Sequence, residues 1–291
     1  MTILFNKGGI MKTNLVHKSI HFLHFLNTNR KLLYQEFNKN EELLNVIQTN
    51  RMQTFFQPIL SLNNGATIGY EILNRPEATK NFPTTDSFYD YVGESEHIFM
   101  VESFIRNLAL KRYHEQVKQL QENKDSFIFL NIHPQVLADP NYQARTTINL
   151  LAKHNISPKQ VVLELTEKKA GINYSQFMKL VEHYREQGFR IAVDDAGTGY
   201  NSLQTLLYLN PEFIKIDKSL IRNIEKSPRK QYLVELILDF ANKSTTKVIA
   251  EGIETVSEYT LLREMGIDLG QGYAIGKPSG TLSKGIIPIP C

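Results

Sequence analysis

Five carboxylates and one lysine occupy the same place relative to short, apolar, β-prone runs. Glu71 follows Ile68-Gly69-Tyr70, Glu164 follows Val161-Val162-Leu163, and Glu251 follows Val248-Ile249-Ala250. Asp194 and Asp195 follow Ile191-Ala192-Val193, and Lys215 follows Phe213-Ile214. Asn131 closes Phe127-Ile128-Phe129-Leu130 in the same way, and Gln271 sits within Gly270-Gln271-Gly272-Tyr273. One acid after a strand is ordinarily a loop residue or a helix cap. Solvated loop acids, however, have no reason to recur in register at the inner ends of buried strands. Gathered in one cup, five carboxylates and one ammonium carry about −4, and without compensation several would take up protons through raised pKa values. Two divalent cations would almost cancel that charge. Oxygen donors with one amide, and no His/Cys cluster, favour Mg²⁺ or Mn²⁺ over structural zinc. Two cations ~3.5–4 Å apart suit in-line attack of an activated water on a phosphodiester. Asp194 or Asp195 is the natural bridging ligand.

Such a cup needs elements that bring run ends together. Eight strand candidates are visible: Thr54–Leu60, Thr67–Leu73, Ser126–Ile132, Val161–Thr166, Arg190–Asp195, Glu212–Asp217, Lys247–Glu251 and, more weakly, Ile267–Tyr273. Helical periods lie between most of them. Phe177, Leu180, Val181 and Tyr184 form one, closed by Gly188, and Leu233, Leu236, Ile237, Phe240 and Ala241 form another. The alternation predicts an α/β fold, a TIM-like (β/α)8 barrel whose strand C-termini converge on one face. Only Asn63-Asn64-Gly65 and neighbours separate the first two strands. That is a hairpin, too short for a parallel crossover, so the barrel is expected to start irregularly.

The chain has 291 residues, and about 250 are enough for one barrel. Residues 1–50 read as a helical N-terminal extension that packs on the barrel or binds a partner, 51–280 as the barrel, and 281–291 as a C-terminal tail. With 42% apolar and 22% charged residues, the composition is that of a globular protein. The formal charge of +3, from 33 basic and 30 acidic residues, suits a small phosphorylated ligand and gives no sign of a surface for a nucleic-acid polymer. Cys291 is the only cysteine, so no internal disulfide can form, and a reduced, cytoplasmic compartment is expected. No apolar run reaches the ~18 residues that span a bilayer. The first residues, with Lys7, Lys12, His17 and Lys18, lack a signal-peptide core. Both points argue against membrane insertion and secretion.

Tyr70-Glu71-Ile72-Leu73-Asn74-Arg75-Pro76 resembles the signature of the EAL-domain family of cyclic-di-GMP phosphodiesterases. Seven further blocks follow the family's order: Phe56-Gln57-Pro58-Ile59, Leu130-Asn131-Ile132, Glu164-Leu165-Thr166-Glu167, Asp194 to Tyr200, Lys215-Ile216-Asp217, Ala250 to Thr255, and Gln271-Gly272-Tyr273. The resemblance runs from about Phe55 to Pro278. It implies a TIM-like barrel with one antiparallel strand, and hydrolysis of cyclic-di-GMP to linear pGpG with two Mg²⁺ or Mn²⁺ ions per site. It further implies that Glu71, Asn131, Glu164, Asp194, Asp195 and Glu251 are metal ligands, and that Lys215 orients the water and screens phosphate charge. Glu251 or Asp195 would be the general base, if a protein base is needed. Arg75 matches the family's phosphate-contacting arginine; Gln57, Leu73 and Gln271 would complete the substrate and water side. Glu167 resembles the glutamate that anchors the loop after Asp195 and couples metal binding to a homodimer interface.

The chain departs from the family pattern in several places. Ile72 replaces Ala in the signature, Ala196 replaces Phe and Asn201 replaces Ser in the loop after the aspartates, and His133 replaces Ser. The segment Asn74–Phe88 is shorter than in many members. Packing is expected to absorb Ile72, and His133 is expected to be a hydrogen-bonded histidine, not a further ligand. Gly197-Thr198-Gly199 lacks a P-loop lysine and reads as a plain loop. Lys226, Arg229 and Lys230 read as a solvated helix start. Two other functions compete with hydrolysis. One is a non-catalytic cyclic-di-GMP receptor signalling through the N-terminal helices to a regulatory partner. The other is a barrel lyase using Lys215 as base.

Overall fold

In a computed structural model of the chain, residues 7–120, 125–133, 135–136, 139, 141–143, 145–166, 174–197 and 202–289 are described. Each of the eight β-prone runs becomes a strand: β1 Met52–Ser61, β2 Thr67–Pro76, β3 Phe127–Asn131, β4 Val161–Thr166, β5 Arg190–Ala196, β6 Phe213–Ile216, β7 Lys247–Ala250 and β8 Leu269–Gly270. They close into a barrel in sequence order. β1 pairs antiparallel with both β2 and β8, while every pair from β2–β3 to β7–β8 is parallel. The irregular start is therefore one reversed strand. Its turn is stabilised locally: Gly65 has φ +72°, and Asn64 Oδ1 accepts from the Ala66 N–H at 3.0 Å.

The helices are α1 Lys7–Gln48, α2 Thr85–Glu94, α3 Ile98–Leu120, α4 Thr146–Lys153, α5 Tyr174–Glu186, α6 Ser202–Leu209, α7 Lys218–Ile221, α8 Pro228–Ser244 and α9 Val256–Glu264. The two periodic segments read from sequence fall inside α5 and α8. Gly188, at φ +90°, stops the chain after α5. Lys230 is more than a solvated residue at a helix start. Its ammonium donates to the carbonyls of Ser219 and Arg222, both at 2.6 Å, and so closes the end of α7.

Three apolar clusters fill the molecule. The largest lies between strands and helices and includes Ile72, which packs there at 2% exposure as the signature's larger residue requires. A second plugs the barrel interior with Ile59, Phe129, Val162, Ala192, Phe213, Ile249 and Leu269. Gly69 stands at that level of β2, where a Cβ would come within 2.5 Å of the Phe127 carbonyl oxygen, so the backbone of β3 leaves no room for a side chain. The third joins Leu43 and Val46 of α1 to Met52, Phe82 and residues of α2 and α3. The end of α1 is thus rooted in the barrel's own packing. Past residue 280 the chain also stays close: Leu282 is buried, and the Gly285 N–H donates to Thr67 Oγ1 at 2.9 Å.

Candidate active site

A strand sends alternate side chains to one face. Two residues toward the mouth from each member of the interior plug stands a residue of the polar cup. Ile59 leads to Gln57 on the reversed strand, and Phe129 to Asn131, Val162 to Glu164, Ala192 to Asp194, Phe213 to Lys215, Ile249 to Glu251 and Leu269 to Gln271. Glu71 stands two residues from Gly69 in the same way. The cup is therefore the next layer of the barrel above an apolar floor, on the face formed by strand C-termini.

Lys215, only 1% exposed, rises through its centre. Its Nζ lies 2.6 Å from Glu164, 2.7 Å from Glu251, 3.4 Å from Glu71 and 3.6 Å from Asp194. Burial pulls its pKa down, but those four carboxylates outweigh burial and hold it well above the ordinary lysine value. The carboxylates respond unequally. Burial alone would raise Glu71. The Lys215 charge and hydrogen bonds from Gln271, Lys215 and Asn131 hold it below its ordinary value. Burial and then the Glu71 charge push Glu164 well above its usual range. Burial also raises Asp194, and it pushes Glu251 up to about 8 against the pull of Lys215. One ammonium does not neutralise this set, as the charge arithmetic anticipates.

Asp194 and Asp195 are successive residues, and a regular strand would turn them to opposite faces. The β5–β6 ladder shifts register between Val193 and Ala196, and Asp195 adopts φ +56°. This bulge brings both acids to the mouth. Among the described residues, carboxylate oxygens of Asp194, Asp195 and Glu251 lie within 4.8 Å of one another, a spacing that one cation could bridge. The donor set fits divalent cations in a second respect. Glu164 is wholly buried, yet beyond the Lys215 ammonium at 2.6 Å its oxygens have no hydrogen-bond partner, and buried Gln271 Oε1 has none.

The remaining predicted residues surround this centre. Gln271 Nε2 donates to Glu71 Oε2 at 2.6 Å and to Gln57 Oε1 at 3.0 Å, and Gln57 Nε2 donates to the Gly276 carbonyl at 3.0 Å. Asn131 Nδ2 donates to Glu71 Oε1 at 3.3 Å. Arg75 is exposed at the end of β2, its guanidinium 5.0 Å above the Phe55 ring. Leu73 lines a cavity of about 260 Å³ with Asn74, Tyr89, Asn131 and His133. The His133 ring packs on Gly93, and its Nδ1 accepts from the Gln135 N–H at 3.3 Å, in keeping with a structural histidine. Glu167 and Asn201 lie outside the described residues.

Sequence reasoning missed a buried pair on the wall of that cavity. Arg106 donates to Glu102 at 3.0 Å and to Thr147, and the His133 N–H donates to Glu102 at 3.4 Å. Opposite charges four residues apart within the apolar period of α3 were the available signal. The backbone support from Gly276 had no sequence signal.

Residues 40–278 match the EAL domain family. The probable cyclic di-GMP phosphodiesterase PdeA of Escherichia coli (strain K12) is 31% identical over 268 residues, covering 89% of this chain and 35% of the relative. The chain thus spans about a third of that relative's length. The EAL enzyme Bd1971, in a cAMP and cyclic-di-GMP bound form, superposes with a TM-score of 0.76 at 26% identity, over 92% of this chain and 72% of the other. Klebsiella pneumoniae BlrP1, in a calcium/cy-diGMP complex, gives 0.70 at 26% identity over 81% and 58%. With the family match extending over the whole barrel, the sequence blocks and the geometry converge: this chain belongs to the EAL domain family.

Proposed function

We propose that the chain is a divalent-cation-dependent phosphodiesterase that opens cyclic-di-GMP to linear pGpG. The observation that carries this reading is the unneutralised carboxylate cup around Lys215. The probable cyclic di-GMP phosphodiesterase PdeA and the cyclic-di-GMP complexes of Bd1971 and BlrP1 support the substrate, and the calcium in the BlrP1 complex supports a divalent ion. Asp194, Asp195 and Glu251, with Glu71, Glu164 and Asn131, would hold two Mg²⁺ or Mn²⁺ ions. When bound, such ions acidify water and draw charge from a phosphate.

In the reaction a water oxygen bonds to phosphorus, the P–O3′ bond breaks and the departing 3′ oxygen takes up a proton. Lys215, fixed by Glu164 and Glu251, supplies a cation that cannot swing away and that offsets charge growing on the phosphate. Glu251 or Asp195 takes the water's proton. Gln271 and Gln57 hold Glu71 in place. Arg75, with its planar guanidinium at the rim, grips a phosphate, and Leu73 packs against the nucleotide. The wider reading comprises a homodimer in the cytoplasm, a helical extension over 1–50 that meets a regulatory partner, a barrel over 51–280 and a tail over 281–291.

The test is a hydrolysis assay that resolves pGpG from GMP, run with Mg²⁺, with Mn²⁺ and with chelator. Cation-dependent pGpG release that disappears in Glu71→Ala is expected. Tight binding without turnover in either metal would replace the reading with that of a receptor.

A further inference from the structure

α1 is rooted in the barrel only at its end. Among its described side chains, none before Leu43 is buried. Ile20, Phe22, Leu23, Phe25, Leu32, Leu33, Tyr34 and Phe37 all stand 40–65% exposed, a density of bare apolar groups that soluble surfaces rarely carry. At about 3.6 residues per turn, Phe22, Leu33 and Phe37 fall with Leu26 along one side, Phe25, Leu32 and Leu23 flank it, and Ile20 and Tyr34 lie toward the opposite side. His17, His21, His24, Thr28, Lys31 and Gln35 fall along the other, and Lys18 and Arg30 border the apolar stripe on its two edges.

The charge is one-sided as well. From Lys7 to Gln35 the sequence contains Lys7, Lys12, Lys18, Arg30 and Lys31 and no Asp or Glu; the acids Glu36, Glu41 and Glu42 begin only where the helix approaches the barrel. Two copies laid side by side in the same direction would press like charge on like. A surface of anionic headgroups over acyl chains answers both the cations and the apolar stripe. Lysine and arginine stems at the stripe's edges can reach outward to headgroups while the rings sink. Among the described residues no helix is long and apolar enough to cross a membrane, so the geometry suits a helix lying on the surface.

We propose that α1, up to about Phe37, is a docking helix for an anionic lipid surface. The test is co-sedimentation of the full chain with vesicles of phosphatidylcholine alone and of phosphatidylcholine mixed with phosphatidylglycerol, at low and raised salt. Pelleting with the anionic vesicles, reversed by salt, is expected. Binding should weaken more than ~10-fold both in the combined variant Lys18→Glu, Arg30→Glu, Lys31→Glu and in Phe22→Ser, Leu33→Ser. Because these side chains are exposed, both variants should keep the wild-type Tm and cyclic-di-GMP hydrolysis, which separates loss of docking from loss of fold. No pelleting, or equal pelleting with both vesicle types, overturns the proposal. So does α1-dependent self-association by light scattering without vesicle binding, which would make a second copy the occupant.

Discussion

Between α3 and β3, Arg106 faces Glu102 and Thr147, and the Glu102 carboxylate takes an additional backbone N–H from His133. Burial raises Glu102 above its ordinary value even with Arg106 beside it, yet the pair is one cation to one anion. Nearby, beyond Asn131, Lys215 faces four carboxylates, and the buried Glu164 among them has no hydrogen-bond partner beyond that one ammonium. The balanced pair is complete within the chain and serves packing. The unbalanced cup is complete only with charge from outside, which is the property expected of a cation site. Buried charge thus has two uses in this molecule, separated by how fully the chain itself answers it.

The largest break in that comparison should come from Lys215→Met. Turnover is expected to fall to background, and with chelator present Tm should drop and then recover in part on adding Mn²⁺. An unchanged cation response would show that Lys215 is not part of the charge balance. Arg106→Met should act differently, costing about 3–5 kcal/mol in urea unfolding because Glu102 is left buried and alone. Joint replacement, Glu102→Met with Arg106→Met, should restore most of that loss, and Mn²⁺ should restore none of it.

A smaller effect separates the two groups by pH. Burial holds Glu251 at about 8 and Glu164 also above its ordinary value, so the folded state binds more protons than the unfolded one between about 4.5 and 8. Stability of the cation-free protein is therefore full at the acid end of that window and lost as pH rises through it. Thermal scans in chelator should show Tm falling over this range, and saturating Mg²⁺ or Mn²⁺ should flatten the slope. Smallest of all is the backbone term at the bulge. Asp195 holds φ +56°, so Asp195→Gly should be more stable than Asp195→Ala by about 1 kcal/mol in chemical denaturation, with neither active.

Much of this was legible because both the strand and the cup obey a period of two. Any β-prone run with a polar residue at its mouthward end reports its own inward face, and so Glu71, Asn131, Glu164, Asp194, Lys215, Glu251 and Gln271 could be placed by spacing. Asp195, counted with them from its position after the run, is sent outward by that period, and only the bulge turns it inward. Local pattern could not distinguish Leu43 and Val46, which are buried, from Leu23 and Phe25, which are bare. Helical period marks an apolar side, but the partner that covers it comes from α2 and α3, distant in sequence. The last strand was read as longer than Leu269–Gly270 because its tail bonds to Ala250 and Ile253 as a turn, outside a regular ladder.

The reversal of β1 decides where α1 is attached. Met52 pairs with Pro76, at the outgoing end of β2, so the helical shaft meets the barrel beside the opening and not at its base. A barrel with all strands parallel would receive such a shaft on the far side, a whole strand length from the reacting atoms. Here a tug or twist on α1 would arrive at β1 a few residues from Gln57. From there two short links, through Gln271, lead to Glu71. Leverage on the shaft would therefore be delivered at the threshold of the carboxylate cup.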